Sequence, residues 1–163
     1  MKRIVLVLSL LAAVFCSAAA QDSEVIKAYL KSLGSSTVSF TMSGTGLDGS
    51  TISSQKGVVQ VQYPCFKIES GGQEIISDGT TTWIYNLATQ EVVITGAMLE
   101  PMLPEASLNL NNSGKSILKF SNKNGTSITF TLDKVTPCEA WPSDHFVLDT
   151  KALGDEVVVT DMR

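Results

Sequence analysis

From Val38 to Ser43 the chain alternates, with Val38, Phe40 and Met42 apolar and Ser39, Thr41 and Ser43 polar. A period of two marks a strand with one buried face. The pattern returns over 57–62, with Val59 and Val61 on one side. After Pro64 it resumes with Phe66 and Ile68. Gly71-Gly72 and Ser77-Asp78-Gly79 read as tight turns. Residues 81–85 are rich in β-branched and aromatic side chains, including Trp83 and Tyr85. Val92, Val93 and Ile94 form the returning strand. Further on, 116–121 reads as a strand and Asn124-Gly125 as a hairpin turn. Ile128, Phe130 and Leu132 alternate on the return, residues 136–144 form a loop, and 146–148 and 157–159 make short closing strands. Two segments break the rule. Val25, Ile26, Tyr29, Leu30 and Leu33 fall at helical spacing, with Asp22 or Ser23 as cap and Gly34 as stop. In 96–110, Met98, Leu99, Met102, Leu103, Leu108 and Leu110 are apolar, while Pro101 and Pro104 forbid a long helix. One or two short helical turns are expected there. The fold predicted is mainly β (α+β): a curved antiparallel meander with an opening helix and a short helical insert.

The first twenty residues stand apart. Lys2 and Arg3 precede an apolar run over 4–15, and Ala18, Ala19 and Ala20 supply a small-residue cleavage site. This is the pattern of a secretory signal peptide cut after Ala20. It leaves one domain over 21–163 and an export address, the periplasm in a bacterial cell. Of the three cysteines, Cys65 and Cys138 lie beyond the signal. In an oxidising compartment they form either a disulfide or two separately buried thiols. The net charge is −4, and more negative once Lys2 and Arg3 are removed; Lys and Arg are scattered. An acidic chain without a basic stripe argues against nucleic acid and against docking on anionic membranes.

One stretch resembles a known family. A strand ending at Pro64 is followed by a short apolar strand, then Ile75-Ile76-Ser77-Asp78-Gly79, Trp83-Ile84-Tyr85-Asn86 and Gln90-Glu91-Val92. This order resembles the LolA family of periplasmic lipoprotein carriers. The opening helix before Val38-Ser39-Phe40 and the closing Phe146–Asp149, Val157–Val159 and Asp161–Arg163 segments are also similar. The resemblance implies an open antiparallel half-barrel with an N-terminal helix and short lid helices over an apolar cavity for acyl chains. It also implies acylated lipoproteins as cargo, an inner-membrane exporter and an outer-membrane receptor. Many such carriers have a lid-tethering arginine before the strand-ending proline. Here Tyr63 holds that place, and its hydroxyl is the expected lid contact.

The cavity wall implied is Phe40, Met42, Val59, Val61, Phe66, Ile68, Trp83 and Tyr85, with Met98 and Met102 on the lid side. Methionine suits an adaptable apolar surface. A fully packed core has the same composition, so alternation alone does not separate wall from core. Asp78-Gly79 reads as a turn. The lone His145 has no recognisable nucleophile motif beside it, and no phosphate loop or metal-ligand spacing is present. These patterns favour a binding protein, with no enzyme and no cofactor. The first expectation is a carrier that shields acyl chains between membranes. The second is a lipid-sensing or protein-interaction domain of the cell envelope that does not deliver its ligand.

Overall fold

A computed structural model describes residues 23–46, 49–99, 106–121 and 125–163. Residues 1–20, expected to be a signal peptide, and Asp22, Met102 and Asn124 lie outside the described residues. The architecture is mainly β. One helix, α1 (Ser23–Ser32), precedes β1 (Ser35–Thr45), β2 (Thr51–Gln62), β3 (Cys65–Ser70), β4 (Gln73–Ser77), β5 (Thr81–Asn86) and β6 (Glu91–Gly96). Then come β7 (Ala106–Leu110), β8 (Ser116–Ser121), β9 (Ser127–Pro137), two 3-10 turns (Ser143–Phe146 and Thr150–Leu153) and β10 (Val158–Asp161). The strands form one open sheet in the order β10-β6-β5-β4-β3-β2-β1-β9-β8-β7.

The expected meander is present in two runs, β1–β6 and β7–β9, joined where β1 pairs β9 antiparallel. Three expectations are corrected. The last strand is parallel: β10 adds to β6 with Val159 opposite Val92. Residues 106–110, placed in the helical insert, are a strand; Ala106 and Leu108 are buried alternately against β8. Segment 146–148 is no strand, because Phe146 closes a 3-10 turn.

Side chains directly opposite in an antiparallel pair share a face, and neighbours along a strand do not. One row therefore runs Val38, Val59, Ile68, Ile75, Ile84 and Val93 across β1–β6. The adjacent row, Lys67, Ile76, Trp83 and Ile94, points the other way. The first face is the front and the second the back.

The front carries α1. Ile26 and Leu30 are buried against Ala106, Leu108 and Leu118. Burying each such side chain is worth about 1.5–3 kcal/mol. Gly34, at φ +60°, ends the helix, with its N–H on the Lys31 carbonyl (3.1 Å). Burial pushes the Tyr29 phenol above its ordinary pKa, against the opposing effect of a hydrogen bond with Ser116.

The back is crossed by a strap running from β9 to β10. Gln62 clasps its backbone: the amide oxygen accepts the Trp141 N–H (2.9 Å) and the amide nitrogen donates to the Trp141 carbonyl (3.3 Å). His145 lies 2.7 Å from Gln60 Oε1 and stacks on Trp141, their rings 8° from parallel. Phe146 is fully buried edge-on to both rings. Further along, Leu148, Leu153 and Val157 pack on Ile76, Trp83, Val92 and Ile94.

Chain length shows that the sheet is curved. Gly96 ends β6 and Ala106 starts β7, yet eight strand intervals separate these strands. In a flat sheet that is about 38 Å. Ten residues fully extended reach at most about 36 Å, and Leu99 within the connection is already helical. The sheet must bend to bring β7 round towards β6.

The Ser77-Asp78-Gly79 motif makes the turn between β4 and β5. The Asp78 carboxylate accepts the N–H groups of Thr80 and Thr81 and the Thr80 hydroxyl. Partial burial raises its pKa, but these bonds outweigh it and leave the carboxyl below its usual range. Gly79, at φ +92°, lies against Pro64, and a Cβ there would meet Pro64 Cγ at 2.7 Å.

The disulfide alternative is also corrected. Cys65 and Cys138 are free thiols, the first half-buried and the second exposed. The Cys138 N–H bonds the Ser35 carbonyl, Ser35 faces Gln62, and Gln62 faces Cys65. Three strand spacings, roughly 14 Å, hold them apart. A disulfide needs Cα atoms within about 7 Å. Burial, then the Asp78 charge, pushes the Cys65 thiol up. Native alkylation with iodoacetamide at neutral pH, followed by peptide mapping, should label Cys138 well before Cys65. Equal rates, or a Cys65–Cys138 crosslinked peptide after mild oxidation, would contradict this arrangement.

Candidate binding cavity

Between α1 and the front face the described residues line a cavity of about 120 Å³ that opens to solvent, within about 710 Å³ of space that includes its mouth. Helix α1 contributes Leu30, and the turn after it Leu33. Strands β1, β2 and β3 contribute Val38 and Phe40, Val59 and Val61, and Phe66 and Ile68. Leu118, Phe120, Phe130 and Leu132 come from β8 and β9. Leu99 and Tyr63 complete the wall. Every lining side chain except Tyr63 is pure hydrocarbon.

Phe130 stands at the centre of an aromatic floor, edge-on to Phe40 (5.3 Å between centroids) and to Phe120 (6.1 Å). Phe40 can lie flat across β2 because its neighbour there is Gly57. A Cβ on Gly57 would meet Phe40 Cζ at 2.5 Å. A lining surface without polar atoms gives water few partners and suits hydrocarbon.

Of the expected wall residues, Phe40, Val59, Val61, Phe66 and Ile68 line this cavity. Trp83 and Tyr85 do not. The β3–β4 and β4–β5 registers turn them to the back, where Trp83 is buried with Ile76 and Ile94 and Tyr85 packs beside them. Met42 and Met98 are half-buried and are not part of the cavity wall. Met102 lies outside the described residues. Tyr63 lines the cavity, and it packs on the helix side: its ring joins the Ile26–Leu30 cluster and carries the Lys31 ammonium 5.4 Å from its centroid. The residues missed, Leu30, Leu33, Val38, Leu99, Leu118, Phe120, Phe130 and Leu132, come from segments far apart in sequence that only the sheet order joins. Leu30 and Leu33 could have been found as the inner face of an amphipathic helix with nothing else to cover.

No protein-family model matches the chain, and no curated protein does. Among solved structures, an uncharacterized conserved protein from Thermus thermophilus is similar, with a TM-score of 0.50 at 11% identity. The match covers 86% of this chain and 99% of that one. At that identity the likeness is one of fold alone. The class of molecule on the page is an open, mainly β sheet with a helix closing an apolar cavity.

The two faces make distinguishable predictions. Ile68→Asp puts a carboxylate on the cavity wall and should weaken Nile red binding by about tenfold or more. Tyr85→Ala on the back should leave it within about twofold. The opposite ranking would mean that the front cavity is not the dye site.

Proposed function

We propose that this protein is a non-enzymatic carrier of acyl chains in the cell envelope, exported to the periplasm by its first twenty residues. The observation that carries this reading is the cavity between α1 and the front face, walled by hydrocarbon side chains and reached by a connection that begins at Leu99. The physics is that of shielding. Each methylene moved out of water gains about 0.8 kcal/mol, so covering a chain lets an acylated molecule cross an aqueous space without any reaction. The order of motifs from Pro64 to Val92, similar to that of the LolA carriers, supports lipoproteins as cargo. It likewise supports an exporter at the inner membrane and a receptor at the outer membrane as partners. In this reading the curved sheet is an open half-barrel and the Leu99 connection its lid. The described cavity is close in size to one that holds a single benzene.

A second reading, a lipid-sensing or interaction domain that binds without delivering, is favoured by that small volume and by Tyr63 in place of a lid-tethering arginine. Native mass spectrometry of protein purified from the periplasm without detergent tests the shared core of both. An added mass that matches a lipid or acylated peptide and leaves on organic extraction is expected. A bare mass that stays unchanged when a lipopeptide is added would overturn both. Release of lipoprotein from inner-membrane vesicles into a soluble complex then separates carrier from sensor.

A further inference from the structure

Cationic charge on α1 is distributed unevenly. The Lys27 ammonium is 3.3 Å from Glu24, an ion pair within one helical turn. Lys31, one turn on, is exposed and forms no ion pair with a described carboxylate; its ammonium stands over the Tyr63 ring. That ring lines the cavity, as do Leu30 in the helix and Leu33 in the turn after it, on either side of Lys31 in the sequence. A cation over an aromatic face is attracted by the ring quadrupole, which holds it in place at the cavity side of the helix. The cavity itself offers no charge, and the surface that its lining presents is apolar.

We infer that Lys31 and Tyr63 form a headgroup site for an anionic amphiphile, with the ammonium pairing a carboxylate or phosphate while one acyl chain enters the cavity. The inference rests on the acyl-chain reading above and adds the sign of charge at the root of the chain and the number of chains held at once. Hydrocarbon in the cavity and an anion at Lys31 are complementary demands. A neutral chain satisfies only the first, and a cationic one is repelled. The described volume takes part of one chain, so a single tail beside the charge fits better than several. Two sources share this chemistry: a free fatty acid and the phosphate-bearing headgroup of an anionic lipid.

The test uses the purified full-length protein with Nile red as reporter and three competitors of equal chain length: dodecanoate, dodecanol and dodecyl phosphate. At low salt, dodecanoate should displace the dye about three- to fivefold more strongly than dodecanol, the range expected of an exposed ion pair. The preference should fade in high salt. Lys31→Gln should abolish it and leave dodecanol unchanged, while Lys27→Gln should preserve it. A stronger effect of dodecyl phosphate than of dodecanoate would assign the site to lipid headgroups, and the reverse to fatty acids. Equal displacement by dodecanoate and dodecanol, or a preference that survives Lys31→Gln, would overturn the headgroup site and leave the acyl-chain reading standing. Failure of every competitor and of the dye itself to bind would overturn both.

Discussion

The rest of the structure depends on strand register. In a sheet with two covered faces, the pairing decides which core each side chain enters, and a shift of one residue exchanges the two. Ser70 faces Gln73 across Gly71-Gly72, and Ser77 faces Thr82 across the Asp78 turn. Those two pairings send Ile68, Ile75 and Ile84 to the front and Ile76, Trp83 and Ile94 to the back. The consequence is a division of labour. The back is closed by a strap pinned to the sheet by Gln60, Gln62, the stacked Trp141 and His145 rings and the edge-on Phe146. The front is closed by a short helix that leaves a cavity beside it.

Curvature follows from the same topology. Splitting the meander at β1–β9 places β6 and β7 on distant parts of one sheet, and the ten-residue step between them bends the sheet. A bent sheet has a concave side, and Leu99 leaves β6 on the side where the cavity lies. Apolar surface left facing water on that side is unfavourable, and hydrocarbon seated there would take it out of water, which is the physical sense of the proposed carrier.

Local patterning made much of this legible in the sequence. Helix α1, the strands carrying Val38 and Phe40 or Val59 and Val61, and the Gly71-Gly72 and Asp78-Gly79 turns all follow from period and turn chemistry. Five of the cavity residues followed as well, because they alternate on adjacent antiparallel strands. Trp83 and Tyr85 were misassigned because size and aromaticity say nothing about face. Counting register through the two turns would have put them at the back. The short strand 106–110 was hidden by the prolines before it, and parallel β10 by the strap that carries the chain across the back. The distance between Cys65 and Cys138 depends on β1 and β2 lying between them, a long-range fact that no spacing in the sequence encodes.

The central claim is that the two faces differ in kind, a ligand cavity in front and a closed core behind. Methyl NMR of isoleucine-, leucine- and valine-labelled protein titrated with dodecanoate tests it most directly. The account predicts that the methyls of Leu30, Val59, Ile68 and Leu118 shift together and saturate, while those of Ile76, Val92 and Ile94 stay in place. Shifts confined to the back-face methyls, or no saturable shift at any of them, would contradict it.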